Sequence, residues 1–337
     1  MKNPSCGPML AAAALALSLA PAIAQNNVAV YGQIRLTANS IKTGSASDLK
    51  ELRDNASRLG FRGTEDLGGG MSALFGLEMG VSADDGTVPA PAYRHSFVGL
   101  RGAYGTVALG RLDSANPTGS PLYSQVTAIT SFAPNDAGAT AIGTSVLNAR
   151  NRTSNSIGYQ SPNVGGFDVR VRGYLRGAPA APDNENGAKS VDIGLNYATG
   201  PLKLAFGVAR DERPGGLLGN EFDNKVQFGV RYDFGSVQPY ALLGRDRYKN
   251  TATTRREVDY WIVGTKCIQG AHTVVLNAMQ RAVQSNLIGQ RRRQQVSYQY
   301  ALSKRTELQA FVDRDGVDSS KRDVRVRAIG AGIRHDF

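Results

Sequence analysis

Apolar and polar residues alternate along almost the whole chain, and this pattern limits the possible folds more than any other feature. In the stretch 167–176, four apolar residues alternate with Asp168 and three arginines. The stretches 191–197, 202–208 and 226–234 show the same repeat. A period of two is that of a β-strand, whose successive side chains point to opposite faces of a sheet. The sequence therefore predicts an all-β fold.

The polar set of this alternation is rich in Gly, Arg, Gln and Asp. A soluble sheet can alternate too, but its core would have to pair or exclude these groups at a cost of several kcal/mol each. A water-filled lumen removes that cost. We therefore expect the apolar face to contact lipid and the polar face to line a channel, the reverse of a soluble protein.

The first 24 residues have the pattern of a cleavable export signal. Lys2 gives a positive start, residues 10–20 form an apolar segment, and Ala22-Ile23-Ala24 offers a cleavage site before Gln25. Cleavage would leave residues 25–337 as one domain, with 313 residues and a net charge of +10, because Lys2 is the one charged residue lost from the full chain at +11. Cys267 would be the single remaining cysteine, which excludes an internal disulfide.

After the signal, the chain has no run of about 18 apolar residues, so a helical membrane span is excluded. The other structure that can cross a bilayer is a closed β-barrel. In such a barrel, apolar lipid-facing residues alternate with polar lumen-facing residues, so the mean hydropathy resembles that of a soluble protein. The value of −0.27 therefore does not argue against a barrel. The positive charge also fits a basic nucleic-acid binder, but export argues against that class, and we expect no nucleic-acid partner.

The alternating segments number about sixteen, and an even number is typical of an antiparallel bacterial barrel. Short polar connections are interleaved with longer ones, as in outer-membrane barrels with short turns on one side and long loops on the other. The sequence thus predicts a transmembrane antiparallel β-barrel. Its segments lie near residues 28–40, 51–63, 70–82, 93–103, 104–111, 152–160, 166–176, 189–199, 200–210, 222–234, 235–246, 256–267, 270–283, 292–303, 304–314 and 323–337.

One connection, from Leu112 to Asn151, is far longer than the others. A segment of this length without periodicity counts against a strand assignment unless the loop is functional. It is mostly small, apolar and uncharged, with Asp113, Asp136 and Arg150 as its ionisable residues. Because such a segment is poorly suited to open water, we expect it to fold back into the lumen.

Several strings of residues, in this order, make the mature chain similar to the general porins of Gram-negative outer membranes, especially the betaproteobacterial branch. The resemblance implies a sixteen-stranded homotrimer whose third extracellular loop narrows each pore, and passive diffusion of small hydrophilic or anionic solutes across the cell outer membrane. It also implies contact with outer-membrane lipid and lipopolysaccharide. The strings are Val28–Gly32, Ser57–Gly70, Ser96–Leu100, Gly110-Arg111, Asn155–Pro162, Tyr232–Gly235, Leu302–Thr306 and Gly332–Phe337.

The resemblance also gives the last residue a role. In this family a terminal aromatic helps the barrel assembly machinery to recognise the nascent chain, and Phe337 matches that signal. The chain departs from the pattern two residues earlier, where His335 stands in place of a common Tyr or Phe.

Family members carry arginines on the wall that faces the inward loop, and the matching positions here are Arg58, Arg111 and Arg152, with Arg94 as a fourth. Alternation places Arg58 and Arg152 on the lumen face. Arg111 and Arg94 share their alternation with the apolar residues of the outward face. Each therefore needs a bulge or a loop position to reach the channel. The competing interpretation of each arginine is an interfacial residue that extends toward lipid headgroups.

The acids of the long loop, Asp113 and Asp136, are candidates for the negative side of a transverse field on the wall opposite the arginines. With two acids there against several arginines, the pore is expected to prefer anions.

Two other functions remain open from the sequence. A barrel enzyme would need a serine and a histidine, or paired acids, within hydrogen-bond reach at the rim. The histidines His95, His272 and His335 are scattered, and no phosphate loop or zinc-ligand spacing is present, so no catalytic residue, metal or cofactor is predicted. A non-conducting adhesion barrel would be plugged by large side chains, whereas this inward face is rich in glycine.

Overall fold

The computed structural model describes residues 27–113, 118–132, 152–175, 189–212, 223–249, 255–284, 288–319 and 322–337. The predicted signal, residues 1–24, lies outside the described residues. None of the helices in these ranges is both long and apolar enough to cross a membrane.

Strands make up nearly all of the described chain, with one helix between the sixth and seventh strands of the sequence. All strands belong to one sheet, and strands that follow each other in the sequence pair antiparallel, except for β2 and β3, which both pair with β1. The elements are β1 Asn27–Thr43, β2 Leu49–Asp54, β3 Arg58–Gly68, β4 Met71–Gly80, β5 Tyr93–Gly102, β6 Gly105–Asp113, α1 Pro121–Ile129, β7 Arg152–Gln160, β8 Phe167–Leu175, β9 Lys189–Thr199, β10 Leu202–Glu212, β11 Asn224–Tyr232, β12 Val237–Lys249, β13 Arg255–Gln269, β14 His272–Gln284, β15 Ile288–Ala301, β16 Thr306–Ser319 and β17 Arg322–Asp336.

The sheet closes into a barrel because the first strand pairs with the last, from Gln33 opposite Asp336 to Thr43 opposite Val326. On its other side, β1 pairs with both β2 and β3, which follow one another along it. They are two halves of one barrel strand, interrupted at residues 55–57, where Ala56 has a φ of +65°. The barrel therefore has sixteen strands, all antiparallel, as the sequence predicted.

The connections differ between the two ends of the barrel. Both described chain ends lie at one end, where all connections are two to six residues long. At the other end, the connections 81–92, 114–151, 176–188 and 213–223 are much longer. Short turns mark the periplasmic end of an outer-membrane barrel and long loops the extracellular end. At the extracellular end, the connections that join β12 through β17 are also short, and the strands there run to 13–15 residues.

The two faces of the wall differ as the sequence predicted. Phe206 lies directly opposite Phe228 on the outward face, and the two side chains are 45% and 41% exposed. The next pair, Gly207 and Gln227, faces inward, where Gln227 is buried. Because an exposed aromatic face is stable in lipid and a buried amide needs polar partners, the outward face suits a bilayer and the inward face an aqueous pore.

The inward face also carries buried ion pairs in its extracellular half. Lys225 Nζ lies 3.0 Å from Asp246 Oδ1, and Arg291 Nη2 lies 2.6 Å from Asp315 Oδ2. A buried charge is tolerated where an opposite charge and hydrogen bonds replace its water. These pairs therefore neutralise the upper wall of the lumen.

Residues 118–132 of the long connection pack against the inward face of β8 through β12. Val126 and Ile129 of α1 join Ala205, Leu242 and Ile262 in an apolar cluster inside the barrel. Gln125 Nε2 donates to the Phe206 carbonyl at 2.9 Å and to Asn196 Oδ1 at 3.0 Å, and its Oε1 accepts from Gln227. Residues 114–117 and 133–151 lie outside the described residues, and with them Asp136.

Three glycines make room for this segment. A Cβ at Gly194 would lie 2.6 Å from Pro121 Cβ, one at Gly207 would lie 2.4 Å from Gln125 Oε1, and one at Gly229 would lie 3.1 Å from Ile129 Cγ1. The Pro121 ring cannot yield at 2.6 Å, so a larger residue at Gly194 would push the helix away from the wall, whereas at Gly207 and Gly229 a side chain of the helix would have to shift.

Candidate functional site

A cluster of arginines and carboxylates lies on the inward face of β1, β3, β4 and β5. Arg58 begins β3 immediately after the interruption at residues 55–57. Its Nη2 donates to Gln33 Oε1 at 3.0 Å, and its Nε lies 3.7 Å from Glu78 Oε2. Arg58 therefore faces the lumen side by side with Gln33, its direct cross-strand partner.

Glu78 is the centre of this cluster, although the sequence did not single it out. Arg94 Nε donates to Glu78 Oε1 at 2.6 Å, and the Tyr31 hydroxyl donates to Oε2 at 3.1 Å. One buried carboxylate thus holds Arg94 and also lies beside Arg58. The available signal was its position: Glu78 is the single charged residue of β4 and shares its alternation with Gly76 on the inward face.

A β-bulge brings Arg94 into the cluster. Glu78 lies opposite His95, but the next residue of β4, Met79, lies opposite Tyr93. Arg94 is the extra residue between them and escapes the strict alternation of β5. The alternation of the sequence indicated that Arg94 needs a bulge or a loop position to reach the lumen, and the structure has the bulge.

A second bulge changes the positions of Arg111 and Arg152. Gly110 lies opposite Ser156 and Leu112 opposite Thr153, so two residues of β7 face the single residue Arg111. Alternation counted from Ser156 therefore does not extend to Arg152. Its position rests instead on a contact, because Arg152 Nε lies 2.5 Å from Asp113 Oδ2.

Arg111 is held by neighbouring strands rather than by the carboxylates. Its Nε donates to the Tyr93 carbonyl and its Nη1 to Ser154 Oγ, both at 2.8 Å. It lies opposite Ser96, which shares its alternation with the exposed Val98. The structure thus brings Arg58, Arg94 and Arg152 together and leaves Arg111 at the edge of the group.

The position of Asp113 differs from the expectation. It was expected on the long loop, across the pore from the arginines, but it is the last residue of β6 and lies beside Arg152 on the same wall. Strand pairing extends two residues further than the alternation indicated, as far as Asp113 opposite Arg152. Asp113 therefore balances charge locally instead of forming an opposite pole.

Glu78, His95 and Asp113 join the two halves of the cluster, since one donor atom from each lies within 4.8 Å of the others. These donors could in principle meet at a metal ion. Arg94 and Arg152 already bind the two carboxylates, however, and their positive charge opposes a cation. The arrangement is better suited to hold several guanidinium groups close together around a small number of carboxylates.

Within the part of the chain that the structure describes, the summed charge of the site is positive. Three arginines, Arg58, Arg94 and Arg152, face two carboxylates, and Arg62 lies on the same inward face with its guanidinium 4.9 Å from the centre of the Tyr31 ring. A positive patch inside a narrow channel raises the local concentration of anions.

Comparison with known proteins identifies the family. A family model described as Gram-negative porin matches residues 11–320. The chain belongs to the Gram-negative porin family. As a porin, it is a passive channel for small hydrophilic solutes in the outer membrane, and the sixteen-stranded barrel agrees with this.

Two curated porins illustrate the relationship. The chain is 29% identical to outer membrane porin protein 32 of Delftia acidovorans, over 96% of this chain and 93% of that protein. It is 31% identical to a major outer membrane protein P.IB of Neisseria gonorrhoeae, over 71% of this chain and 67% of that protein. Among solved structures, an anion-selective porin from Comamonas acidovorans aligns with a TM-score of 0.75 at 23% identity, covering 93% of this chain and all of that one. At this identity the likeness is one of fold.

The end of the porin chain is tied into the first strand. Phe337 donates its backbone N–H to the Gly32 carbonyl at 3.1 Å, and the Gly32 N–H donates to the Phe337 carbonyl at 3.0 Å. The ring lies over Gly32, where a Cβ would come within 2.3 Å of Phe337 Cζ. His335, two residues earlier, is exposed with Nδ1 2.9 Å from Thr306 Oγ1. Phe337 thus completes the ring of strands at the periplasmic end.

Proposed function

We propose that this porin prefers anions and that Arg58, Arg94 and Arg152 carry the preference. The observation that supports this most strongly is the excess of guanidinium groups over carboxylates in a cluster built around Glu78. Charges interact more strongly in a narrow pore bounded by protein than in bulk water. Arg111, which contacts backbone and serine, contributes less in this proposal.

The inward-folded part of the long connection completes the proposed constriction. Residues 118–132 occupy the lumen beside β9 through β12, across the barrel from the arginine cluster on β3 through β5. In this proposal the loop narrows the pore and forces solutes toward the arginines. Asp136 stays a candidate for a negative charge on the loop.

The decisive experiment is the reversal potential across a salt gradient in a planar bilayer. We expect the unmodified porin to favour chloride over potassium, and the double variant Arg58→Gln, Arg152→Gln to lose most of this preference. Arg325→Gln, which removes an exposed outward charge, is the matched control. A channel that prefers cations, or a preference that the double variant keeps, would refute the proposal.

A barrel enzyme is the competing function, and we propose that this porin has no enzymatic activity. Its best candidate for a catalytic group, His95, lies beside Tyr31 and Glu78 and next to arginines, and within the described residues its ring has no hydrogen bond to a serine. A hydrolase rate that one substitution at His95 abolishes would favour the enzyme.

We propose a homotrimer as the assembled state. A groove on the outward face of β1, β16 and β17 carries the small residues Ala38, Ala310 and Ala331 beside Val312 and Ile329. Small side chains allow two barrels to approach closely. A mass of three chains in mild detergent is the expected result, and a mass of one chain would argue for a monomer.

Two further partners belong to this proposal. We propose that lipopolysaccharide phosphates bind a row of outward cations at the extracellular border of the apolar face, where Lys42 lies opposite Arg327 and Arg327 opposite Arg314. Like charges placed directly opposite each other repel, and bound phosphates would relieve this. We also propose that the barrel assembly machinery reads Phe337, after removal of residues 1–24 during export.

A further inference from the structure

Three cations lie together on the inward face of the barrel near its periplasmic end. Lys203 of β10 is directly opposite Arg231 of β11, and Lys266 of β13 is opposite Gln238 of β12. All share the inward alternation of Ala205, whose side chain packs inside the barrel. Because β11 is eight strands away from the β2 and β3 strand in the ring of sixteen, this group lies on the wall opposite Arg58.

None of these three cations has a carboxylate within ion-pair distance among the described residues, and the acids that interact with two of them, Asp233 with Arg231 and Glu307 with Lys266, do so at longer range. Among the described residues, no carboxylate forms an ion pair with Lys203, Arg231 or Lys266, whereas Lys225 and Arg291, higher on the wall, each have one. Arg231 contacts uncharged groups, the Gln238 side-chain oxygen and Ser131 Oγ. A like-charge pair placed directly across two strands is unfavourable without an anion near it.

Solutes in the lumen can reach the group. Lys203 is exposed, and Arg231 and Lys266 are half-buried. Two ammonium groups and one guanidinium provide several charge-assisted donors within one patch. This chemistry fits a small dianion, such as sulfate, phosphate or a short dicarboxylate, better than a neutral solute or a monovalent anion.

Ser131 of the long connection lies immediately beside the group. The Ser131 carbonyl accepts a hydrogen bond from the Tyr240 hydroxyl at 2.7 Å and one from Asn277 Nδ2 at 3.0 Å, and Ser131 Oγ lies 3.5 Å from Arg231 Nη1. An anion that leaves the constriction below this segment therefore meets Arg231 next.

We propose that Lys203, Arg231 and Lys266 form a second anion-binding site, which takes small dianions on the periplasmic side of the constriction. The inference rests on the proposed anion preference and adds a second step to it. An anion crosses the lumen from the arginine cluster on one wall to this site on the other. Two moderate sites in series favour both entry and release, which a single strong site does not.

The test uses sulfate as a blocker of chloride current through the folded channel in a planar bilayer, added to each side in turn. The double variant Lys203→Gln, Lys266→Gln should weaken the block by sulfate added on the periplasmic side about 10-fold. It should change the block by sulfate added on the extracellular side less than about twofold. Lys304→Gln is the matched control, since it removes one exposed lysine from a turn at the same end of the barrel. The single variant Lys266→Gln serves if the double variant does not insert.

The outcomes separate this inference from the proposed function. A block that the double variant leaves unchanged from both sides, or weakens equally from both, overturns the second site. The arginine cluster is tested separately by the Arg58→Gln, Arg152→Gln variant, which keeps Lys203, Arg231 and Lys266, so that its chloride preference can fall while the one-sided sulfate block persists. If Lys304→Gln also loses the block, the block depends on the overall positive charge at the periplasmic end of the barrel and not on a specific site. The site would then be rejected.

Discussion

Arg94 and Glu78 form a 2.6 Å contact between neighbouring strands that exists because β5 has one residue more than β4 at this level. Without the bulge, Arg94 would point away from the lumen with the outward residues of β5. The bulge therefore decides whether the constriction contains two or three arginines around its carboxylates. In the proposed constriction, a local irregularity of backbone pairing thus sets the number of positive charges.

The first prediction concerns Glu78→Gln, which removes one of the two carboxylates and keeps the shape of the side chain. We expect a stronger anion preference, because three arginines then face Asp113 alone. Two charges 4 Å apart at an effective dielectric of about 20 interact by about 4 kcal/mol, so a tenth of this energy is enough to double a permeability ratio. The measurement is the reversal potential at about 0.1 M salt, where screening is weak.

The matched control for this variant is Glu65→Gln, which removes an equal charge from an exposed position of the same strand pair. It should leave the permeability ratio nearly unchanged. Glu78→Gln should also lower the unfolding free energy by about 1–3 kcal/mol, since buried donors lose a charged acceptor. An unchanged ratio in Glu78→Gln would mean that the cluster does not set selectivity.

The sequence was sufficient for the architecture because a barrel wall repeats one rule. Alternation, the even strand number and the position of each strand follow from which residues tolerate lipid, and the structure agrees. The division of one strand into β2 and β3 was not predictable, since it depends on a positive φ at Ala56 and on two registers along β1. The break reverses the alternation, because Leu52 lies opposite Ala38 and Phe61 opposite Val30 on the same outward face, but the six residues of β2 are too few to reveal this from the sequence.

The candidate site was predictable only in part, since bulges move side chains independently of their spacing. Counting by two from Ser156 was the basis for placing Arg152 on the lumen face, and the bulge opposite Arg111 removes that basis, so its position rests on the contact with Asp113 instead. The same counting could not place Asp113, which depends on how far β6 continues. Glu78 was missed because a lone carboxylate on a strand becomes meaningful only when the cross-strand partners are known.

The second prediction tests the role of the last residue. Phe337→Ala should reduce the yield of folded, heat-modifiable barrel in the outer membrane, because the ring that covers Gly32 and the proposed signal for assembly are both removed. Phe234→Ala is the matched control, an exposed aromatic in a periplasmic turn. Folding in detergent from purified chains separates the two causes. If Phe337→Ala folds normally in detergent and poorly in cells, recognition is the affected step.

The third prediction tests the outward row of cations. The double variant Arg314→Gln, Arg327→Gln should carry less lipopolysaccharide through purification. Each basic residue near an anionic membrane surface contributes about 1 kcal/mol, so the loss of two corresponds to roughly 30-fold in affinity. Arg210→Gln is the matched control, an exposed cation of β10 that already has Glu212 at 3.3 Å. Equal amounts of lipopolysaccharide on all three proteins would exclude the row as its binding site.

The fourth prediction concerns Gly194, which has no side chain and so allows α1 to lie close to the wall. In Gly194→Val, the added side chain occupies the space of Pro121, whose Cβ would lie 2.6 Å from the new Cβ. Because the wall is held by strand pairing on both sides, the helix is the element that moves, and it moves toward the pore axis. We therefore expect a lower single-channel conductance. The cost of overpacking, about 1–3 kcal/mol, should lower the unfolding temperature slightly.

Gly173→Val is the matched control for this variant, because the nearest atom to a Cβ at Gly173, the Ser190 carbonyl oxygen, lies 3.9 Å away. Its conductance should equal that of the unmodified channel. The selectivity of Gly194→Val should rise while its conductance falls, since solutes are pushed toward the arginines on the opposite wall. A conductance that increases would instead mean that α1 leaves the lumen when it loses its contact with the wall, and that glycine at this position holds the loop inside the pore.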